Sequence, residues 1–196
     1  MSMFGQVYVK NNQYKLKGDF HELTPNIPIR NADEGWRLMG VTNPRDMTYI
    51  HAYGGEAIFF ESLAKGKLVS SRCDNPKCKY KGSIWMPFRI YCPDCLRPMA
   101  VFDMTDLAKK TARIHTFMVC ERSGAFNILD KPIKFINIEF DGVVTILMSY
   151  LLVGEPKIGM RVVPIFKKVD PTYTILDLSW VPEGTKEGQL PIGFSF

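Results

Sequence analysis

Four of the chain's five cysteines fall in one stretch of 23 residues, CDNPKCKYKGSIWMPFRIYCPDC, from Cys73 to Cys95. They form two pairs, Cys73-x4-Cys78 and Cys92-x2-Cys95, with thirteen residues between the pairs. Two hairpin tips that bring four thiolates together make a tetrahedral sulfur site, the geometry and ligand set that suit Zn²⁺. In CPDC, Pro93 fixes one backbone angle and leaves the following amides free to point at sulfur. The first knuckle is longer than the usual two-residue spacing. Iron in a rubredoxin-type site fits the same four ligands. Two disulfides, or a redox pair at Cys92 and Cys95, are the competing explanations; no βαβ pattern surrounds the pair. Four thiolates close the coordination shell, whereas catalytic zinc keeps a position open, so the expected role is structural. Such an ion contributes on the order of 10–16 kcal/mol in isolated finger peptides, enough to fold a piece of about 30 residues with little core of its own.

The chain has 196 residues and a formal net charge of +5. The charge is uneven. Residues 65–113 hold eleven Lys and Arg against four Asp, a local balance of +7 that leaves −2 for the rest. A basic island points to an anionic partner, such as nucleic acid, a phosphate-bearing cofactor or an acidic protein surface, or else to a solvated loop region. Bound zinc with four thiolates carries about −2 itself, cancelling part of that charge. No apolar run approaches the roughly 20 residues of a membrane helix. The opening MSMFGQVYVKNNQ lacks the pattern of a secretory leader. The expected location is therefore the cytosol, where thiols stay reduced.

Residues 1–50, with PNIPIRNADEGW and the Asn43–Pro44 break, suggest an extended arm. In YGGEAIFFESLAKGKL, Phe59, Phe60 and Leu63 share one face, predicting a short amphipathic helix within 51–66. Gly54–Gly55 before it is a cap or a phosphate cradle. The zinc ribbon spans 67–105. Beyond it, ARIHTFMV, KFINIEF, VVTILMSYLL, MRVVPIF and YTILDLSW are β-rich runs, and Asp141–Gly142 is a two-residue hairpin signal. Five short strands predict a small closed or nearly closed barrel, placed over 106–170. Residues 171–196 hold a C-terminal strand and a tail that docks on a partner or on the chain's own body. The class is mainly β (α+β).

No complete active site is legible. Cys120, at the end of an apolar run, is a core residue or a nucleophile. His21, His51 and His115 form no motif with it, and the nucleophile-elbow, phosphate-loop, dinucleotide and His-Glu-x-x-His signatures are missing from the sequence. Turn chemistry accounts for Glu139 and Asp141. Trp85, Phe88 and Tyr91 alternate with Lys79, Lys81 and Arg89; such mixing stacks bases, presses on a partner or packs locally.

The order of these parts resembles the family of unknown-function domain 35 (DUF35), over roughly residues 55–170. FFESLAKGKLVSSRC is similar to that family's helix running into its first knuckle, MPFRIYCPDCL to the stretch before its second, and KIGMRVVPIF to its late barrel strand. The resemblance implies a rubredoxin-like zinc ribbon on a five-stranded OB-fold barrel. It also implies a non-catalytic accessory subunit of thiolase-superfamily enzymes, among them benzoylsuccinyl-CoA thiolase, which helps to bind or channel acyl-CoA. The metal ligands it implies are Cys73, Cys78, Cys92 and Cys95. Contact with CoA phosphates or with the enzyme would fall to Lys79, Lys81, Trp85, Phe88 and Arg89. The expected partners are a thiolase-like enzyme in a hetero-oligomer and an acyl-CoA thioester, with no membrane. The alternative is a nucleic-acid-binding ribbon and barrel module.

Overall fold

The computed structural model describes residues 6–11, 13–17, 28–33, 37–41, 54–121 and 129–196. His21, His51 and the Asn43–Pro44 break lie outside them. The chain divides into two units, Met1–His51 and Ala52–Phe196. In the first, β1 (Gln6–Lys10) pairs antiparallel with β2 (Gln13–Lys17), and β3 (Pro28–Asn31) with β4 (Arg37–Val41). The expected arm thus carries two hairpins. Asn11 at φ +54 makes the first turn, in a conformation asparagine tolerates better than most residues.

The second unit opens with a 3₁₀ turn, Gly54–Glu56, leading into α1 (Ala57–Ala64), the predicted helix. Phe59 and Leu63 on its inner face are buried. Gly66, at φ +72, ends it, and its amide bonds the Leu63 carbonyl at 2.9 Å. The ribbon follows: β5 (Val69–Arg72), β6 (Ile84–Trp85) and β7 (Ala100–Asp103), in the order β6-β5-β7. A second short helix, α2 (Thr105–Thr111), was not predicted. Asp103 accepts from the Thr105 amide at its start, and Lys109 and Lys110 sit in its last turn, as the helix dipole favours.

Six strands follow: β8 (Arg113–Cys120), β9 (Ile133–Glu139), β10 (Leu147–Tyr150), β11 (Val162–Lys167), β12 (Leu178–Pro182) and β13 (Phe194–Ser195). The five predicted runs overlap β8 to β12. Full ladders join β8-β9-β10 and β12-β11. Two single bridges link these sheets: Leu151 with Trp180, parallel, and Arg113 with Arg161, antiparallel. The circuit β8-β9-β10-β12-β11-β8 is the OB-like order of a partly open barrel. Ser149 and Ser179, both fully buried, reinforce the first seam; their hydroxyls donate to Leu178 and Tyr150 carbonyls at 3.2 and 2.9 Å. The interior holds Ile114, Ile136, Ile138, Leu147, Val162, Phe166 and Trp180, continuous with Phe59 and Leu63 of α1.

One expectation changes, and one of two alternatives is met. Gly142, at φ +73, does turn the chain, with the Val143 amide bonding the Phe140 carbonyl at 3.3 Å. The two-residue hairpin is not formed, because β9–β10 pairing begins only at Ile138–Leu147. Residues 143–146 instead reach the ribbon: Val144 N–H bonds the Ile84 carbonyl at 2.9 Å, and the Thr145 hydroxyl accepts from Met86 N–H at 2.8 Å while donating to the Met86 carbonyl. The tail, for its part, docks on its own barrel. β13 pairs with β11 at Phe166–Ser195 and Lys167–Phe194, and Lys168 Nζ donates to the Phe196 carbonyl at 2.6 Å.

Because Leu63 is completely buried where α1 meets the barrel, Leu63→Ala should lower unfolding stability by about 2–5 kcal/mol. A urea titration followed by circular dichroism checks this; an unchanged midpoint would separate α1 from the cooperative core.

Candidate metal centre

Cys73 directly follows β5. Its amide bonds the Ser83 carbonyl at 3.2 Å, and Gly82 N–H bonds the Cys73 carbonyl at 2.6 Å, which closes a hairpin tip. The four residues before Cys78 form a turn: Cys78 N–H reaches the Asn75 carbonyl at 3.0 Å, and Lys77 N–H the Asn75 Oδ1 at 3.1 Å. The long first spacing is therefore absorbed locally. In the second knuckle, Leu96 N–H bonds the Cys92 carbonyl and Cys92 N–H the Arg97 carbonyl, each at 3.0 Å, with Leu96 at φ +54.

The four sulfurs lie within 4.8 Å of one another. Cys73 and Cys95 are 3.9 Å apart, Cys78 and Cys92 3.8 Å. A regular tetrahedron with Zn–S of about 2.3 Å has S···S edges of about 3.8 Å. A disulfide would need about 2.05 Å, and all five cysteines are free. The set could hold a metal ion and is consistent with zinc. Backbone amides turn toward three of the sulfurs, each from two residues further on: Asn75 to Cys73, Tyr80 to Cys78 at 3.3 Å, and Arg97 to Cys95. Amide dipoles of this kind favour thiolate.

Cys73, Cys78 and Cys92 are buried and Cys95 is half-buried. Burial pushes the Cys73 and Cys78 thiols up, and Asp94, 3.2 Å from the Cys78 sulfur, adds to the second. Cys95 is drawn down to about 6, first by the Asn75 side chain and then by the Arg97 amide. A cation has to displace protons from the raised thiols, so its affinity falls as pH falls.

The five residues expected to meet CoA or a partner are placed differently from one another. Lys79 and Lys81 are exposed. Trp85 packs in the ribbon's small core with Cys73, Cys78, Cys92 and Met99, while Phe88 belongs to the main core. Arg89 is half-buried, its guanidinium over the Trp85 ring at 5.3 Å. Lys79 lies over Tyr80 at 5.5 Å, and Tyr80 meets Trp85 edge-on at 5.5 Å. Base stacking needs open aromatic faces, which Trp85 and Phe88 do not offer.

Cys120 is half-buried against Ile133, Phe135 and Tyr150. His115 is five residues away along β8, about 17 Å on an extended strand, so the two form no dyad. His115 Nδ1 is 2.9 Å from Glu139, which also takes Arg113 Nε at 2.6 Å; Arg113 reaches Asp141 at 2.9 Å. Arg113, then His115, holds the Glu139 carboxyl below its ordinary range. Glu139 and Asp141 thus belong to an ion-pair network, which turn chemistry alone did not suggest. Sequence reasoning also missed Asn75 and Asp94 beside the sulfurs; their places within the two knuckles were the available signal.

No family model matches the sequence, and no curated protein does. Two solved structures are similar in fold. One is a protein of unknown function from the DUF35 family of Sulfolobus solfataricus, at 21% identity and TM-score 0.48, covering 68% of this chain and 90% of that one. The other is described as "Ltp2-ChsH2(DUF35) aldolase", at 19% identity and TM-score 0.49, covering 65% and 93%. Among the described residues, no helix is long and apolar enough to cross a membrane.

Purified chain should carry about one zinc per molecule by elemental analysis. Cys92→Ser should lose most of it and Cys120→Ser should keep it. Calorimetry in buffers of different ionisation enthalpy should show proton release on zinc binding near pH 7, with affinity falling toward acid pH; a pH-independent affinity would contradict the raised thiols.

Proposed function

We propose that this chain is a non-catalytic, zinc-binding accessory subunit that docks on a thiolase-like enzyme and helps to bind or channel that enzyme's acyl-CoA substrate in the cytosol. Cys73, Cys78, Cys92 and Cys95 hold a structural zinc. Lys79, Lys81 and Arg89 supply cations for CoA phosphates or for the enzyme surface, with Trp85 and Phe88 supporting them from beneath. The observation that carries the proposal is the sulfur cage. Four cysteine sulfurs at tetrahedral spacing complete a zinc shell, leaving no position for substrate or water. Cys120 and His115 offer no nucleophile and base within reach of each other. With no such pair among the described residues, this reading assigns the reactive groups to another chain. The resemblance of residues 55–170 to DUF35 names the kind of enzyme. Burial of Trp85 and Phe88 weighs against the nucleic-acid alternative.

Affinity purification of the full-length chain from its native host tests this. A thiolase-superfamily enzyme should be retained in near-stoichiometric amount and survive a wash of about 0.5 M salt, since an apolar interface is little screened. Cys92→Ser should abolish capture. If purification yields nucleic acid instead, with affinity falling steeply as salt rises, or if the isolated chain turns over acyl-CoA, the proposal is overturned.

A further inference from the structure

Between α1, the Pro87–Phe88 segment and β10 lies an apolar groove of about 410 Å³, walled by Phe59, Phe60, Phe88, Leu147 and Met148. That volume is within the range of small-molecule sites. Glu56, at its edge, is its one charged lining residue among those described. A second concavity of about 440 Å³ shares Glu56, Pro87 and Phe88, and is also lined by Arg89 and Tyr91.

The shared wall is held from both sides. The Thr145 hydroxyl bonds both backbone groups of Met86. The Ser71 hydroxyl accepts from Arg89 N–H at 2.7 Å and donates to the Arg89 carbonyl at 2.6 Å. Ser71 lies two residues before Cys73, and Arg89 three before Cys92, so the sulfur cage anchors the ribbon side of the wall. Ile90 comes so near Gly55 that a Cβ there would sit 2.7 Å from its Cδ1, which presses the start of α1 against the same wall.

The linings differ in chemistry. Among the described residues the groove offers hydrocarbon and aromatic surface and no cation, so it suits a group with nothing to hydrogen-bond. The Glu56 carboxylate at the junction disfavours an anion there and tolerates a neutral amide or thioester. Arg89 lines the second concavity beyond, half-buried, with its guanidinium over the Trp85 ring. An apolar tail, a neutral linker and an anionic head match these regions in order.

We propose that the groove seats the hydrocarbon tail of an acyl thioester, with the neutral arm passing Glu56 and the phosphates reaching toward Arg89. This deepens the acyl-CoA role proposed above and rests on it. Calorimetric titration of the zinc-loaded chain with free CoA, butyryl-CoA and octanoyl-CoA tests it. Octanoyl-CoA should bind at least about tenfold more tightly than CoA. Met148→Glu, at a half-exposed position, should remove that advantage while leaving CoA affinity and zinc content unchanged, and Met148→Leu should retain it. Affinities independent of chain length, or octanoyl-CoA binding unaffected by Met148→Glu, would overturn the groove assignment. Enzyme capture reports separately on the accessory role: if wild-type chain captures the enzyme but shows no chain-length effect, that role stands and the tail site fails. If Met148→Glu abolishes capture instead, the groove is a protein-docking surface and the tail site likewise fails.

Discussion

Four thiols crowded within one small volume cannot all ionise without a cation to balance them, and the core that the ribbon builds around them is small. Its own core consists of Cys73, Cys78, Trp85, Cys92 and Met99, so three of its five buried residues are the proposed ligands. Hydrophobic burial of that size stabilises by about 10 kcal/mol at most, against a conformational entropy cost of about 1–2 kcal/mol for every one of the ribbon's ordered residues. A metal ion held by the four sulfurs would shift the balance, and what the ribbon contributes to the barrel, including the Met86–Arg89 wall, would inherit that dependence.

The barrel has a corresponding weak line. Where β10 meets β12 and where β8 meets β11, one bridge replaces a ladder. Ile114 still bonds the backbone of Met160 and Gly159, at 2.9 and 2.7 Å; further along β8, Phe117, Met118 and Val119 are substantially exposed. On the β11 side the unpaired edge is covered by β13, so the chain spends its last strand protecting one flank of the opening. Unpaired edges invite association with other strands, and this covering limits the liability to β8.

Much of this was legible in the residues. The cysteine spacing located the cage, and the Phe59, Phe60 and Leu63 pattern located α1, because both are local signals. The β-rich runs found the barrel strands for the same reason. Asp141–Gly142 gave the turn but not its context: a turn residue reports its own φ and ψ, whereas strand register depends on what residues 143–146 meet elsewhere, here the ribbon edge at Ile84. Trp85 and Phe88 carried the same ambiguity. An aromatic beside a lysine reads alike whether it faces solvent or a core, and only the fold decides. The groove was beyond reach, since its lining runs from Glu56 to Ile175 and is drawn from several separate segments.

Single hydroxyls perform the work of ladders at several joints. Ser71 and Thr145 each satisfy both backbone groups of one residue in a neighbouring segment, and Ser149 and Ser179 each satisfy a carbonyl across a seam. Shape-preserving replacements at these places are therefore deceptive. Exchanging the hydroxyl of Thr145 for a methyl group alters volume hardly at all, yet it strands a donor and an acceptor together in a partly buried region. Sequence drift at such joints is held in check by valence rather than by size.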